Sequence, residues 1–494
     1  MNPAIPPLRP TSAISAAGGF GGAMAVEGIV RKSIALPQRV GEGNVRHVSD
    51  GQTAERADDI SGTLLGPVRF ALLYWAATFI IFLFSNLTAE VRNMGTLVAF
   101  VLACFSGFYV GYRAGIGRLL PQRVRAAIPQ FGYLNTHVAL VLAGSAYFLL
   151  WGVNQLVEFD VTNPVAIVQA VLSPGEAYKA KFEIAEFRMA SQHTSTLGQI
   201  LVVSSIFYAI LVPLLVASWQ HLPRFVRMCG IIAIGAYIIS FLAIGTLKGL
   251  GDVVLFMVAG LSVVLGKRRL ASGFTIGRRR VYMTLILVGA SFFSYMLVSQ
   301  LQRAEQFQII ESPIVGDVSK TFIAQQFGQE AAYGFYTILA YPSHGYAGLA
   351  FNLEQSFVFS NGAGISFALE SYRQQYFGGA DNRFLTYPYR TELATGWDAE
   401  MFWSTALPWF ASDVSFVGVP FLLALLGFLY ARLWLASLYG NNPLTLGGLG
   451  LIIMFIAFMP ANNQVLFSRQ GLWAVITLLT VGALVAMARR NPAR

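Results

Sequence analysis

The sequence predicts an all-α membrane protein, a bundle of about ten transmembrane helices with a large extracytoplasmic loop. Hydrophobic residues make up 55% of the 494-residue chain and charged residues only 12%. Apolar stretches of about 20 residues, the length that crosses a bilayer as a helix, recur from Arg69 to the end of the chain. Backbone groups in lipid must bond internally, and runs of this length match helices rather than the short alternating strands of a barrel.

Composition divides the chain into five segments. We expect a disordered cytoplasmic tail at 1–68, seven membrane helices in 69–300, an extracytoplasmic loop subdomain at 301–412, three more helices in 413–488 and a cytoplasmic tail at 489–494. The tail lacks the apolar content to fold, and the first span is expected to serve as an uncleaved signal-anchor. The ten predicted spans are 69–88, 95–112, 137–157, 197–218, 228–247, 252–266, 281–300, 413–434, 445–461 and 471–488.

The basic residues predict the orientation of the bundle, because Lys and Arg near span ends are retained on the cytoplasmic side. With the N-terminus inside, 23 of the 34 basic residues fall in cytoplasmic segments. Acidic residues instead collect in the long outer loop. The net charge of +10 is then explained by the basic cytoplasmic segments that set the orientation and lie near anionic lipid. We therefore infer no nucleic-acid partner.

Several common sites are missing from the sequence. Cys104 and Cys229 both fall in predicted spans, so neither a disulfide framework nor a CxxC metal site is expected. The sequence contains no Walker loop, no HExxH motif and no convincing internal repeat. Candidate functional residues are therefore sought among the polar groups at or near the outer face.

Lys248 lies in the turn Gly245-Thr-Leu-Lys-Gly-Leu-Gly-Asp252, between two apolar runs that are together too long for one helix. In one interpretation Lys248 pairs with Asp252 at the membrane boundary or reaches the lipid headgroups. In the other, Lys248 binds a lipid-anchored phosphate or diphosphate, and the flanking glycines let backbone N–H groups approach the same oxygens.

The long loop carries arginines and tyrosines in one short stretch. Guanidinium groups stay charged and donate two hydrogen bonds at once, which suits a diphosphate. The alternative is that these arginines pair with Asp381, Glu392 or Asp398 and hold the loop together. Tyrosine rings and hydroxyls are suited to sugars. The residues are Arg373, Arg383 and Arg390, with Tyr372, Tyr376, Tyr387 and Tyr389.

Proton-transfer candidates in the loop are one histidine and several carboxylates, either of which can act as a base in a partly dry site. His344, in the turn Tyr341-Pro-Ser-His-Gly-Tyr346, is the only histidine of the loop, and its alternative role is an ordinary turn residue. Asp413, at the start of the next predicted span, is either a polar group of this kind or an N-cap. The carboxylates are Glu354, Glu370, Glu392, Asp398 and Glu400.

This layout, over roughly 70–490, resembles the Wzy-type oligosaccharide repeat-unit polymerases of bacterial envelopes, which are related to the O-antigen ligases. Two short motifs add to the resemblance. Gly245-Thr-Leu-Lys-Gly249 stands where the family has a small-residue turn with an arginine, and Ser412-Asp-Val-Ser-Phe-Val-Gly-Val419 is similar to its Asp-Phe-Gly-like start of the next span. Lysine departs from the family pattern, because an ammonium lacks the bidentate fork of arginine.

The resemblance implies an enzyme of the bacterial inner membrane, with both termini cytoplasmic, that uses no metal, cofactor or nucleotide sugar. It would transfer a glycan from undecaprenyl diphosphate to a sugar hydroxyl of a second undecaprenyl-diphosphate-linked oligosaccharide, with a chain-length regulator as a protein partner. The implied roles are diphosphate binding by Lys248, Arg373, Arg383 and Arg390, sugar contact by Tyr372, Tyr387 and Tyr389, and orientation of the acceptor by His344, Glu392 or Asp398.

Three alternatives remain open at the level of sequence. A ligase would move the finished glycan to a different acceptor, and such enzymes often carry a loop histidine, a role open to His344. A transporter or flippase would show charged residues deep in the spans and broken helices in paired repeats, neither of which the sequence shows clearly. A structural membrane scaffold would leave the basic and aromatic residues of the loop without a role.

Overall fold

The computed structural model describes residues 50–117, 134–191, 195–272, 283, 289–290, 293–302, 314–315, 318–440 and 442–490. This part of the chain is helical and contains no strand, which confirms the predicted all-α class. Its α-helices are α1 Asp50–Leu83, α2 Met94–Ile116, α3 Leu134–Glu158, α4 Pro164–Leu172, α5 Pro174–Ser191, α6 Thr196–Val203, α7 Ile206–Ala217, α8 Arg224–Leu242, α9 Lys248–Ser272, α10 Phe322–Phe327, α11 Gln329–Ala340, α12 Gly345–Asn352, α13 Phe367–Phe377, α14 Tyr387–Thr395, α15 Ala406–Tyr439, α16 Pro443–Phe458, α17 Gln464–Phe467 and α18 Arg469–Arg490.

Seven helices in the described ranges are long and apolar enough to cross a membrane, and an eighth span is formed if α6 and α7 count as one helix bent by 56°. The seven lie in α1, α2, α3, α8, α9, α15 and α18. The predicted count of ten is therefore not confirmed. The predicted span 445–461 corresponds to α16, which has only 16 residues, and nine of the 20 residues of the predicted span 281–300 lie outside the described residues.

The first helix begins before the predicted first span. Residues 50–68, which we assigned to a disordered tail, belong to α1, so that part of the assignment is wrong. The stretch Gln52-Thr-Ala-Glu-Arg-Ala57 contains Gln, Ala, Glu and Arg, which favour helix without needing an apolar environment. Within α1, the apolar window that could cross a membrane is Gly62–Leu83. The predicted tail segments 1–49 and 491–494 lie outside the described residues.

The bundle core is tightest where α2 meets α15. Gly107 and Gly111 of α2 face backbone carbonyls of α15, and Gly427 of α15 faces the carbonyl of Phe108. Small residues at successive turns let two helix backbones approach closely, which is a common way to join helices in lipid. Indole groups in this core donate to carbonyls of other helices: Trp75 Nε1 to Ile456 O at 2.8 Å and Trp434 Nε1 to Thr63 O at 3.2 Å.

The connecting segments divide between the two ends of the bundle. At one end the 84–93 connection meets the long 318–405 segment, because Asn93 Nδ2 donates to Ala350 O at 2.8 Å. The connection before α18 meets the same segment, since Asn463 Nδ2 donates to Ile365 O at 2.8 Å. At the other end Lys267 Nζ donates to Gly440 O at 2.8 Å. Successive described helices cross the bundle in alternating directions. The polar segment 318–405, which we call the loop segment, therefore lies over one end of the bundle.

Candidate functional site

A cavity of about 1100 Å³ lies at the loop-segment end of the bundle, between α3, α6, α13 and α18. Helices from distant parts of the chain form its walls. Its lining combines aromatic rings, amides, one cation and one carboxylate with aliphatic side chains. The residues that matter most for chemistry are Trp151, Glu158, Tyr372, Tyr376, Arg469 and Trp473.

Arg469 supplies the positive charge of this cavity. It is the first residue of α18, and its guanidinium lies over the ring of Tyr372 at 5.3 Å. Trp473, one turn later, donates Nε1–H to the Tyr372 hydroxyl at 3.1 Å. Among the described residues no carboxylate is within ion-pairing distance of Arg469. A cation at a helix N-terminus is opposed by the helix dipole, so the Arg469 end of the cavity favours an anion.

Glu158, the last residue of α3, supplies the negative charge. Its Oε1 lies 3.2 Å from the hydroxyl of Ser195, which lies 2.9 Å from Asn154 Oδ1. The same hydroxyl accepts from Gly198 N at 2.9 Å and so caps α6. Because a serine has one hydroxyl proton, Ser195 can donate fully to only one of the two oxygens. Ser195 therefore shares its proton between Asn154 and Glu158, and most of the carboxylate remains available to the cavity.

The remaining side of the cavity is aliphatic. Val202, Val203, Leu472 and Ile476 line it, and 50% of Val203 and 37% of Ile476 is exposed. The 56° bend between α6 and α7 lies next to these residues. Exposed aliphatic side chains on helices of this length are suited to contact with lipid chains. The cavity thus joins a polar chamber to an apolar flank on the bundle surface.

Two of the predicted diphosphate-binding arginines form ion pairs with neighbouring carboxylates. Arg373 donates Nε–H and Nη2–H to the two oxygens of Glu370 at 2.7 and 2.6 Å. Arg383 donates Nε–H and Nη2–H to Oδ2 of Asp381 at 2.8 and 2.6 Å. Burial raises the pKa of Glu370, but bonds from Arg373 and Asn382 N outweigh this and hold the pKa below its usual range. These pairs correspond to the alternative in which the arginines hold the loop together.

Arg390 has a different environment. Its guanidinium lies 4.9 Å from the centre of the Tyr387 ring and donates to Ser356 O at 2.7 Å. No carboxylate of the described residues pairs with it, and burial lowers its pKa. Tyr387 is buried, and the centre of its ring lies 4.6 Å from that of Phe416. Neither Arg390 nor Tyr387 lines the large cavity.

Tyr389 is engaged within the loop segment. Its hydroxyl donates to Glu400 Oε1 at 2.5 Å, and burial, with the neighbouring Glu400, raises its pKa well above the usual value. Of the three tyrosines predicted to contact sugars, only Tyr372 lines the cavity.

The predicted proton-transfer residues are largely engaged with the backbone. His344 Nδ1 bonds to Ala340 O at 2.9 Å, while Nε2 accepts from Trp403 N at 3.0 Å. Burial lowers the pKa of His344 to about 4, so the ring is neutral at physiological pH. Glu392 accepts from Ala399 N at 3.2 Å, and Asp398 accepts from two amides of the following turn at 2.8 Å. None of the three lines the cavity.

Asp413 holds the loop segment rather than its own helix. Its Oδ1 accepts from the Ser360 hydroxyl at 2.6 Å and Gly362 N at 2.8 Å, and its Oδ2 accepts from Ile365 N at 2.8 Å. Two residues later the helix is interrupted at Ser415, where φ is 60°. The expected N-cap role is thus replaced by three bonds to a distant turn.

Lys248 pairs with Asp252, as one of the two sequence interpretations expected. The ammonium bonds to Asp252 Oδ2 across one helical turn and lies 5.5 Å from the ring of Tyr208 and 5.6 Å from that of Phe241. Asp252 is 1% exposed. Gly245, which precedes this turn, has φ of +66° and packs against Tyr178 and Pro174 backbone atoms, so a side chain there would be strained and would clash. Lys248 does not line the cavity.

Arg469 and Glu158 were not among the residues singled out from the sequence. Both lie at the ends of predicted spans, where a charged residue is ordinarily explained by contact with the lipid headgroups.

Among the described residues, no cluster of three His, Cys, Asp or Glu could hold a metal ion. Comparisons with protein-family models, curated proteins and solved structures found no match.

Proposed function

We infer that this chain is a membrane glycosyltransferase that joins lipid-diphosphate-linked oligosaccharides, with the cavity between α3, α6, α13 and α18 as its site. The observation that carries the proposal is the cavity itself. It places Arg469, which has no carboxylate partner in the described part of the chain, between aromatic rings and amides on one side and an aliphatic flank on the other. A lipid-linked sugar diphosphate has the same three parts: an apolar chain, a dianionic link and a ring bearing hydroxyls.

Each part of this substrate has a counterpart in the cavity. Arg469 would bind the diphosphate, because a guanidinium donates two parallel hydrogen bonds to phosphate oxygens. Its charge stabilises the leaving diphosphate as the glycosidic bond breaks. Trp151, Trp473 and Tyr372 offer flat faces to sugar rings. The exposed aliphatic residues of α6 and α18 would contact the lipid chain.

The distribution of charge along the chain supports a site on the outer face of a bacterial inner membrane. Among the described residues at the other end of the bundle are Lys267, Arg268 and Arg269, near the end of α9, and segments rich in Lys and Arg are retained in the cytoplasm. In this orientation both termini are cytoplasmic. The cavity then meets lipid-linked repeat units after their export, in line with a repeat-unit polymerase and with a chain-length regulator as partner.

A second candidate function is a lipid-linked-sugar flippase. Two observations favour it: the Lys248–Asp252 pair lies at the start of a membrane helix with Asp252 buried, and the α6–α7 span is bent. Buried ionisable residues and broken helices are features of transport pathways. The polymerase proposal is preferred because the large cavity opens at one end of the bundle, beside the loop segment.

The test is polysaccharide length in a strain deleted for this gene, measured by glycan-stained gel electrophoresis after complementation with variants. We expect the deletion to leave a single repeat unit on its acceptor, and Arg469→Ala to fail to restore the ladder at a normal protein level. Arg92→Ala, an exposed arginine at the same end of the bundle, is the matched control and should restore it.

Other outcomes identify the alternatives. Full-length polymer that stays on undecaprenyl diphosphate in the deletion would indicate a ligase. Repeat units retained on the cytoplasmic face would indicate a flippase. A normal ladder with Arg469→Ala would contradict the assignment of the cavity as the site.

A further inference from the structure

Most described carboxylates of the loop segment already have partners. Glu370 and Asp381 are paired with arginines, and Glu400 accepts from Tyr389. Glu392, Asp398 and Asp413 accept from backbone amides. These bonds hold the loop segment in place, and none of these side chains lines the large cavity.

Glu158 is the one carboxylate that lines the cavity among the described residues. It is half-buried, at the end of a rigid membrane helix. Its Oε1 has only a shared contact with the Ser195 hydroxyl, whose proton is also within reach of Asn154 Oδ1. Its Oε2 has no hydrogen-bond partner in the described part of the chain. A positioned carboxylate with a free oxygen can accept a hydroxyl proton.

We propose that Glu158 is the catalytic base that takes the proton of the acceptor sugar hydroxyl in the cavity that holds the donor. This inference rests on the proposed function. The acceptor oxygen forms a bond to the anomeric carbon of the donor while the bond from that carbon to the diphosphate breaks. The electron pair leaves with the diphosphate, held by Arg469, and the acceptor proton moves to Glu158 and then to solvent.

The surroundings of Glu158 fit an acceptor saccharide. Asn154 and Gln155 of α3 and Gln199 of α6 also line the cavity, and amides are suited to sugar hydroxyls because they both donate and accept. Arg469 lies on α18, which forms a different wall. The cavity therefore presents a basic group to the nucleophile and a cation to the leaving group, which is the charge arrangement that glycosyl transfer requires.

The experiment uses the full chain purified into nanodiscs, with undecaprenyl-diphosphate-linked repeat units extracted from the host membrane as donor and acceptor. Glu158→Gln keeps the size of the side chain and an oxygen for Ser195 but removes the base. We expect it to lower the transfer rate by about 10²–10⁴-fold. Sodium formate should partly restore transfer by Glu158→Ala. Ser195→Ala, which removes the contact but keeps the carboxylate, should cost less than about tenfold, the scale of one hydrogen bond.

Donor binding is measured separately by the fluorescence of Trp151 and Trp473, which line the cavity, on addition of undecaprenyl diphosphate. Glu158→Gln should bind as wild type does, and Arg469→Ala should bind more weakly. Transfer by Glu158→Gln within tenfold of wild type would overturn the role of Glu158 and leave the proposed function intact. A wild-type protein that neither transfers repeat units nor binds undecaprenyl diphosphate would overturn both.

Discussion

The contact between α2 and α15 makes a quantitative prediction for Gly111→Ala. A Cβ atom at Gly111 would lie 1.8 Å from Ala424 O, a backbone atom that no rotamer change can move. Ordinary contact begins at 3.4 Å, so the two helices would have to separate by about 1.5 Å at this turn, which forfeits much of the dispersion energy along the interface. Gly107 and Gly115 continue the same stripe, with Cβ distances of 2.4 and 2.6 Å to carbonyls of α15.

Overpacking a well-packed core costs about 1–3 kcal/mol, and we expect Gly111→Ala at the upper end of that range because the obstacle is backbone. The unfolding entropy is about 2.1 cal/mol/K per residue, so a chain of 494 residues loses about 1 °C per kcal/mol and the apparent Tm in detergent should fall by about 3 °C. Scanning fluorimetry measures this shift.

Gly95→Ala is the matched control, since Gly95 is in the same helix and a Cβ there meets nothing within 4 Å. Alanine favours helix over glycine by about 1 kcal/mol, so this variant should be as stable as wild type or slightly more stable. If Gly111→Ala melts within about 1 °C of Gly95→Ala, a difference of about 1 kcal/mol or less for a chain of this length, the close approach of α2 and α15 is not as described.

Two further predictions concern buried polar groups of the bundle and its loop segment. Burial lowers the pKa of His344 to about 4. In the unfolded chain this histidine binds a proton near pH 6.5, whereas in the folded protein it stays neutral until the pH approaches 4. The free energy of unfolding should therefore fall by up to about 3 kcal/mol as the pH drops from about 6.5 toward 4. The loss of Tm between about pH 7 and pH 5 should be smaller in His344→Gln, and an equal loss in both would contradict this account. Lys248→Ala leaves Asp252 buried without its partner and should destabilise the protein by about 3–5 kcal/mol, seen as low yield and low Tm. Lys248→Ala/Asp252→Ala should recover much of this, whereas a stable Lys248→Ala protein that makes no polymer would favour diphosphate binding by Lys248.

The local ion pairs of the bundle and its loop segment were predictable from the sequence, although they lie outside the cavity. Lys248 and Asp252 are one helical turn apart, and Arg373 and Arg383 have acidic residues within three positions. Such pairs depend on helix and turn geometry that neighbouring residues determine. The sequence interpretation that paired them with carboxylates required no knowledge of the tertiary fold.

The long-range part of the site was not predictable in this way. Glu158 and Arg469 come from opposite halves of the chain, and each stands at the end of a span where a charged residue has an ordinary explanation. The sequence favoured His344 because an imidazole can transfer a proton, yet both of its ring nitrogens are hydrogen-bonded to backbone groups, those of Ala340 and Trp403. Which polar groups face a common cavity depends on how the helices pack, and hydropathy carries no information on that packing.

The sequence by itself determined the all-α class and most of the membrane helices, because the length and hydropathy of a span are properties of consecutive residues. It also contained the stripe Gly107, Gly111 and Gly115, although only the structure identifies α15 as its partner. The tertiary structure alone decided where the cavity lies, which charges line it and which loop residues hold it in place. Those properties arise from contacts between segments distant in the chain, which form only when the whole bundle packs.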